Sequence, residues 1–393
     1  MQTFHIILMK KILITGASGF IGSFIVEEAL RQGFDTWAVV RPTSSRKYLQ
    51  DSRIHFIELD FSSEERLEKE LASHEFNYIV HAAGATKCLH KEDFFRINTE
   101  GTKNFIRAIQ ALNMPLERFV YLSSLSVFGA IREEEPYREI LESDTPMPNT
   151  AYGKSKLEAE KYLESLPSSL HHEEKTPRSE GYSANTECLS TKNDFISTKK
   201  IRLSTENGEL STEKDKQKNR AVFPFIILRP TGVYGPREKD YFLMAKSIKG
   251  HTDFAVGFKR QDITFVYVKD VVQAVFLALT RGKDGRAYFL SDGNVYQSST
   301  FSNLIHEELG RPWWIRITAP IWLLRIITFF GDLFGRITGK ISALNNDKYQ
   351  ILKQRNWRCN IQPTVDELGY KPEYDLKRGV KETIKWYKEE RWI

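Results

Sequence analysis

The chain has 393 residues, 41% hydrophobic and 12% aromatic, enough for a sizeable core and for one large domain with a smaller one. Its formal net charge of +6 is spread along the sequence and not gathered into a basic block, which argues against nucleic acid as a partner and leaves an anionic small molecule favoured. Cys88, Cys188 and Cys359 are far apart, odd in number and in no metal-ligand spacing, so neither a disulfide framework nor a metal site is expected and a reducing, cytoplasmic setting is.

Residues 1–8 read as an extension. They show no basic segment ahead of the short apolar stretch and no small-residue cleavage site, so no secretory signal is expected and the domain is taken to open at Met9. The competing reading adds Ile6, Ile7 and Leu8 to the first strand. From there strands are predicted over 11–15, 36–40, 54–59, 78–81, 119–123, 225–229 and 287–290, with helices over 22–32, 64–73, 99–112 and 152–166. The runs at 78–80 and 225–228 are continuously apolar, as strands covered on both faces must be. The alternation predicts an α/β protein with a doubly wound parallel sheet, the Rossmann architecture, and a smaller C-terminal substrate-binding domain.

Residues 9–166 and 221–235 would form the dinucleotide-binding domain, and 236–393 mainly the substrate domain, with strand 287–290 returning to the sheet. Between them, 167–220 is rich in Ser, Thr, Lys, Glu and Asn, with the echoes LSTKN, LSTEN and LSTEK. It has too few apolar residues to repay its ordering entropy and reads as a flexible surface insertion. A polar hairpin turning at Asn207-Gly208 is the alternative.

TGASGFIG at 15–22 places Gly16, Gly19 and Gly22 between a strand and a helix, with Ser18, Phe20 and Ile21 completing the turn. Glycines there let backbone N–H groups approach a pyrophosphate at the positive end of the helix. At the end of the second strand stands Arg41, followed by Arg46 and Lys47, where an NAD enzyme would carry an acid for the ribose 2'-hydroxyl. This favours NADP(H); NAD remains the alternative if Arg41 stacks on adenine. Ser123 and Ser124 end the fifth strand on the edge where open α/β sheets bind ligands. Tyr152 and Lys156, at i and i+4, share a helix face. An ammonium beside the phenol is expected to lower its pKa from about 10 toward working pH, suiting it to general acid/base work. Residues 313–337 are strongly apolar but carry Arg316, Arg325 and Asp332, too many charges for a spanning helix. Core packing is the first reading of this segment, a lid over an apolar substrate the second and an interfacial membrane helix the third.

In order along the chain, TGASGFIG, Asp60, HAAG at 81–84, Asn98 in NTEGT, YLSSLSVFG at 121–129, YGKSK at 152–156 and RPTGVYGP at 229–236 resemble the extended short-chain dehydrogenase/reductases, the NAD-dependent epimerase/dehydratase family. The motifs are nearest the dihydroflavonol reductase and 3-beta-hydroxysteroid dehydrogenase branch. The resemblance implies that Ser124 is the catalytic hydroxyl, with Ser123 and Ser126 as runners-up, that Tyr152 is the general acid/base and that Lys156 supports it. Asn98 would relay protons to Lys156, or else cap the helix after it. Asp60 and Phe61 would contact adenine, and Ala82, Ala83, Gly84, Pro230, Gly232 and Val233 would line the cofactor. A homodimer through two helices per subunit is implied as well.

Three reaction classes share such a core. Dehydratases carry an acidic pair beside the catalytic hydroxyl, where this chain has Leu125 and Ser126. Epimerases commonly have Asn where it has Gly232. The expectation is therefore an NADP(H)-preferring oxidoreductase interconverting a secondary alcohol and a ketone on a hydrophobic, steroid- or flavonoid-like molecule. The alternative is a nucleotide-sugar epimerase with transient hydride transfer to bound NAD, which Arg237, Arg260 and FVYVKD at 265–270 would suit. A protein that keeps a nucleotide without catalysis is the third reading, against which the intact Ser124, Tyr152 and Lys156 argue.

Overall fold

The first apolar run folds as β1 (Lys11–Thr15), buried from Ile12 onward, and turns through glycines into α1 (Phe20–Arg31). The computed structural model describes residues 9–129, 134–167, 222–338 and 346–393. The readings of residues 1–8 and of the polar insertion after Pro167 lie outside the described residues. After α1 come β2 (Asp35–Val39), β3 (His55–Ile57), α2 (Glu64–Leu71) and β4 (Tyr78–His81). A long helical run follows, made of α3 (Lys91–Phe94), a π-helical turn (Phe95–Glu100) and α4 (Gly101–Ala111). β5 (Arg118–Leu122) and α5 (Ala151–Glu164) precede the insertion. Beyond it lie β6 (Phe225–Pro230), β7 (Gly232–Tyr234), α6 (Asp240–Lys249), β8 (Thr252–Val256), β9 (Asp262–Ile263), β10 (Phe265–Tyr267), α7 (Val268–Thr280) and β11 (Ala287–Leu290). The chain ends through β12 (Tyr296–Gln297), α8 (Thr300–Glu308), β13 (Ile315–Ala319), α9 (Ile321–Thr338), α10 (Asn346–Leu352), α11 (Gln362–Leu368) and α12 (Leu376–Glu389).

Seven strands form one parallel sheet in the order β11-β6-β5-β4-β1-β2-β3. The winding reverses between β1 and β4, the switch point outside which open α/β sheets bind ligands. Strand alternation sends Ile12 and Ile14 to one face, where they pack with α1 and α7, and Leu13 to the other, with α2, α4 and α5. β4 and β6 are buried at every position, so both faces of the sheet are covered. A separate aromatic core, built around Tyr234, Phe265, Tyr267 and Phe301, joins β7 and β10 to α6, α8 and α12.

Three local expectations shift. The third strand, at the sheet's edge, is only three residues long. The helix expected over 99–112 begins at Lys91, since KEDFFRIN ahead of it contains no Pro or Gly to stop a helix. Core packing of 313–337 is contradicted. On α9, Leu324 and Thr328 are buried, but Trp322, Phe329 and Phe330 are 65%, 65% and 60% exposed. The helix is apolar on more faces than the body of the protein covers.

Candidate active site

The glycine turn fits the backbone closely against its neighbours. Gly16 has φ +68°, and a β-carbon there would stand 2.8 Å from the Ala82 backbone. One at Gly22 would meet the Gly16 carbonyl oxygen at 2.1 Å, so α1 can begin this near β1 only without a side chain. The N-terminus of α1 has Gly19 as its cap, no side-chain cap and no acidic residue in its first turn. Its first amides thus remain free for an anion, and the cradle suits a dinucleotide pyrophosphate. Phe20 and Ile21 turn toward the protein, Phe20 against Phe24 and Ile21 against the core beneath.

Ala82 and Ala83 lie opposite this turn and are held by a buried hydrogen-bond chain. Ala83 N–H donates to Thr15 Oγ1 at 3.1 Å, so the Thr15 proton is free to donate to His81 Nδ1, 2.9 Å away. His81 Nε2–H then donates to Thr102 Oγ1 at 3.0 Å, and Thr102 donates to the Asn98 carbonyl at 2.7 Å. Each partner's role fixes the next, which assigns the Nε2–H tautomer. Burial pushes His81 down to about 3, with the charge of Lys156 adding to the shift, so the imidazole is neutral.

Asn98 sits inside the π turn, not before a helix, so the helix-cap reading is contradicted. Its Oδ1 accepts from Ala85 N–H at 2.7 Å, and its Nδ2 donates to Ala85 O and Ser155 Oγ, both at 3.0 Å. Ser155 in turn donates to the Tyr152 carbonyl at 2.8 Å, tying Asn98 to the first turn of α5. Gly84 lies between Asn98 and Lys156: a β-carbon there would be 3.1 Å from Asn98 Oδ1 and 3.2 Å from Lys156 Nζ.

α5 starts at its cap Thr150, whose hydroxyl accepts from Gly153 N–H. Any β-carbon at Gly153 would stand 2.4 Å from Ser126 O, so this glycine lets the helix press against the short 3-10 turn after β5. Ser124 caps that turn, accepting from Ser126 N–H at 3.1 Å, and its hydroxyl shares a hydrogen bond with the Tyr152 phenol. Ser126 Oγ accepts from Ser124 Oγ at 3.1 Å. Ser123, a runner-up for the catalytic hydroxyl, has a buried hydroxyl with no partner among the described residues.

The predicted electrostatics of Tyr152 and Lys156 need correction. Lys156 Nζ donates to Leu122 O at 2.8 Å and lies 4.6 Å above the Tyr121 ring. Tyr152 is not lowered: burial pushes it up to about 12, the Ser124 hydrogen bond opposing and the Glu160 carboxylate assisting. Burial brings Lys156 down to about 8, against the pull of Glu160. Glu160, one further turn along the same face of α5, is fully buried and paired with Arg229, whose Nη2 donates to Oε2 at 2.7 Å. The i, i+4, i+8 spacing of Tyr152, Lys156 and Glu160 was the sequence signal for this third residue.

The remaining predicted contacts divide. Arg41 follows β2 with its guanidinium exposed, and among the described residues no acid pairs with it. Arg46 lies 4.3 Å over the Phe56 ring and Lys47 pairs with Glu390, so both are committed elsewhere. Asp60 accepts from Ser62 and Arg66, and Phe61 packs its ring against His81 and Phe105. Any ligand contact by Phe61 is therefore left to its backbone. Val233 packs into the sheet core, whereas Pro230 and Gly232 face a cavity.

That cavity, of 320 Å³, opens beside Ser124 between the strand ends and the C-terminal elements. Phe254, Val256, Phe265, Phe301, Leu352 and Trp357 make its wall largely apolar and aromatic, as small-molecule sites are. Thr231 Oγ1 and Gln354 Nε2 border it, buried and without protein partners among the described residues. A β-carbon on Gly232 would meet Tyr241 Oη at 2.9 Å and the Phe265 ring at 3.3 Å, so any side chain there would require Tyr241 to shift. A larger surface cleft of 620 Å³ between α1 and α7 touches none of the predicted catalytic residues.

Comparison with known proteins agrees with this architecture. The chain is 24% identical to a UDP-glucose 4-epimerase of Vibrio cholerae, over 95% of this chain and 94% of that protein. It is 23% identical to the decarboxylating sterol-4-alpha-carboxylate 3-dehydrogenase of Candida albicans, over 97% and 99%. Its fold is similar to a dTDP-glucose 4,6-dehydratase of Bacillus anthracis solved in complex with NAD, with TM-score 0.66 and 18% identity over 98% of each chain. A family model, described as the NAD dependent epimerase/dehydratase family, matches residues 12–169 and 212–291. The chain belongs to this family of extended short-chain dehydrogenase/reductase enzymes.

Proposed function

We propose that the protein is an NADP(H)-preferring oxidoreductase that interconverts a secondary alcohol and a ketone on a hydrophobic substrate. The cavity beside Ser124 carries this reading. Its wall is largely apolar and, among the described residues, includes no Lys or Arg. A nucleoside diphosphate would bring its charges against a wall whose one acidic residue, Asp253, is itself paired with Arg316. Arg237 is also committed: it is held between the Phe24 and Tyr48 rings and bonded to Ser23 and Glu27. Arg260 pairs with the buried Asp262. Both had kept the sugar-nucleotide reading open. The unpaired Arg41 supports the 2'-phosphate of NADP(H) at the end of β2.

A bound dinucleotide supplies or accepts the hydride. The chain's own part is to position the substrate oxygen and move a proton to or from it. Ser124 would donate a hydrogen bond to that oxygen, and Tyr152, protonated at neutral pH because burial raises it, would give its proton to a ketone. Its acid form suits the reductive direction. Alcohol oxidation needs the phenolate and should rise with pH. Lys156 holds Leu122 O and Asn98 holds Ala85, fixing the floor on which Tyr152 stands.

A thermal-shift panel of NADPH, NADH, UDP-glucose and a steroid ketone tests the reading, since a ligand bound only by the folded state raises the Tm. Shifts with NADPH and the ketone are expected, and Tyr152→Phe should keep both while losing roughly 10²–10⁴-fold in turnover. A shift with UDP-glucose and none with the ketone would favour the epimerase, and full cellular function of Tyr152→Phe would favour a non-catalytic role.

A further inference from the structure

We propose that α9 and the outward side of the β8–β13 pair form a surface that docks on an anionic phospholipid bilayer. The patch is large. Along α9, Trp322, Ile326, Phe329, Phe330, Phe334 and Ile337 are all exposed, Ile337 by 75%. The parallel register pairs Ile317 with Phe254, and both side chains are exposed on the same side of the ribbon. Phe258, 77% exposed, extends the patch from the loop whose Gly257 meets Ile321. Exposed Leu or Phe residues scattered singly need no explanation, but a contiguous aromatic face of this length marks an interaction surface.

Charge selects the occupant. Segments 246–260 and 311–338 together carry eight Lys and Arg residues; Arg260, Arg311 and Arg316 pair with Asp262, Glu307 and Asp253, which leaves Lys246, Lys249, Lys259, Arg325 and Arg336 against Asp332. Asp253 is buried beneath Arg316 on the opposite side of the ribbon, while Arg325 and Lys259 are exposed. Cations around an apolar face rich in Trp and Phe match a negatively charged headgroup layer, where Arg325 can extend its head to phosphate while its stem stays among apolar side chains. A second copy is a poorer fit. A two-fold contact sets the same patch against itself and would oppose these cations across an apolar seam. α9 has 18 residues, and no described helix is long and apolar enough to cross a membrane, so it lies on the surface.

Phe254 belongs to both features: it lines the cavity and is 65% exposed in the patch. The docked face is thus continuous with the cavity wall, and an apolar substrate dissolved in the bilayer would enter without crossing water. This last step rests on the proposed function; the docking itself does not.

Vesicle flotation of the full-length protein, without substrate or dinucleotide, tests the docking. Vesicles of equal parts phosphatidylcholine and phosphatidylglycerol should carry the protein, and pure phosphatidylcholine should carry roughly tenfold less, with the difference shrinking in high salt. The double variant Trp322→Glu, Phe330→Glu should lose at least roughly tenfold in partition while keeping its Tm. Absence of flotation overturns the proposal. So does equal flotation on the two vesicle types, or a variant that turns a lipid-free oligomer into monomers, which would assign the patch to contacts between copies. Failed flotation leaves the reductase reading standing, and a failed ketone assay leaves the docking standing.

Discussion

His81→Phe separates the buried hydrogen-bond chain from the aromatic box around it. The ring of His81 lies 5.3 Å from Phe105 and 5.8 Å from Tyr121, and Phe can fill that space. Thr102 would still donate to the Asn98 carbonyl, but Thr15 would lose the acceptor for its proton. The cost at pH 8 should be about 1–3 kcal/mol, one unsatisfied buried hydroxyl plus the bonds lost. The pH dependence is the sharper test. Unfolded, the imidazole takes a proton below its ordinary 6.5; folded, it does so only near about 3. Between those values the unfolded wild-type chain binds more protons, so wild-type stability falls with falling pH by about 1.4 kcal/mol per unit relative to the variant. At pH 5 that amounts to about 2 kcal/mol, enough to bring the two proteins to similar stability. Urea unfolding of both between pH 8 and 5 reads the difference directly. A gap that stays constant with pH would refute the neutral buried imidazole, and with it the assigned direction of the chain.

Arg41→Glu should weaken NADP(H) binding by roughly 10–100-fold and leave NAD(H) nearly unchanged, measured by titration of each dinucleotide; equal losses would place Arg41 away from the 2'-phosphate. Glu160→Gln leaves Arg229 charged and buried, so urea unfolding should show a loss of about 3–5 kcal/mol, and adding Arg229→Met should recover part of it. Gly22→Ala puts a β-carbon 2.1 Å from the Gly16 carbonyl oxygen. Dinucleotide binding should vanish in calorimetry while far-UV circular dichroism of the rest of the fold persists.

The sheet was largely legible because buried parallel strands are written as continuous apolar runs: YIV at 78–80 and FIIL at 225–228 each mark a strand that the structure contains. Gly16 and Gly22 were legible as a turn because only glycine tolerates those approaches. What escaped depends on residues far apart in sequence. His81 was read as the first letter of HAAG, yet its function comes from Thr15 and Thr102, 66 and 21 residues away. Tyr152 beside Lys156 suggested a lowered phenol, but helix spacing says nothing of burial or of a lysine drawn to Leu122 O. Arg237 and Arg260 keep the sugar-nucleotide alternative open in the sequence, and only the fold brings them to their partners Glu27 and Asp262. The apolar run at 313–337 read as core because composition cannot tell whether the protein supplies a second surface to cover it.

The central claim is net redox chemistry on an apolar substrate, and the absorbance of NADPH tests it most directly. With purified protein and a steroid ketone, NADPH should be consumed in equal amount to the alcohol formed, and Tyr152→Phe should slow the change roughly 10²–10⁴-fold. Turnover of a UDP-sugar with no net change in NADPH or NADH, and no consumption with any hydrophobic ketone, would contradict it.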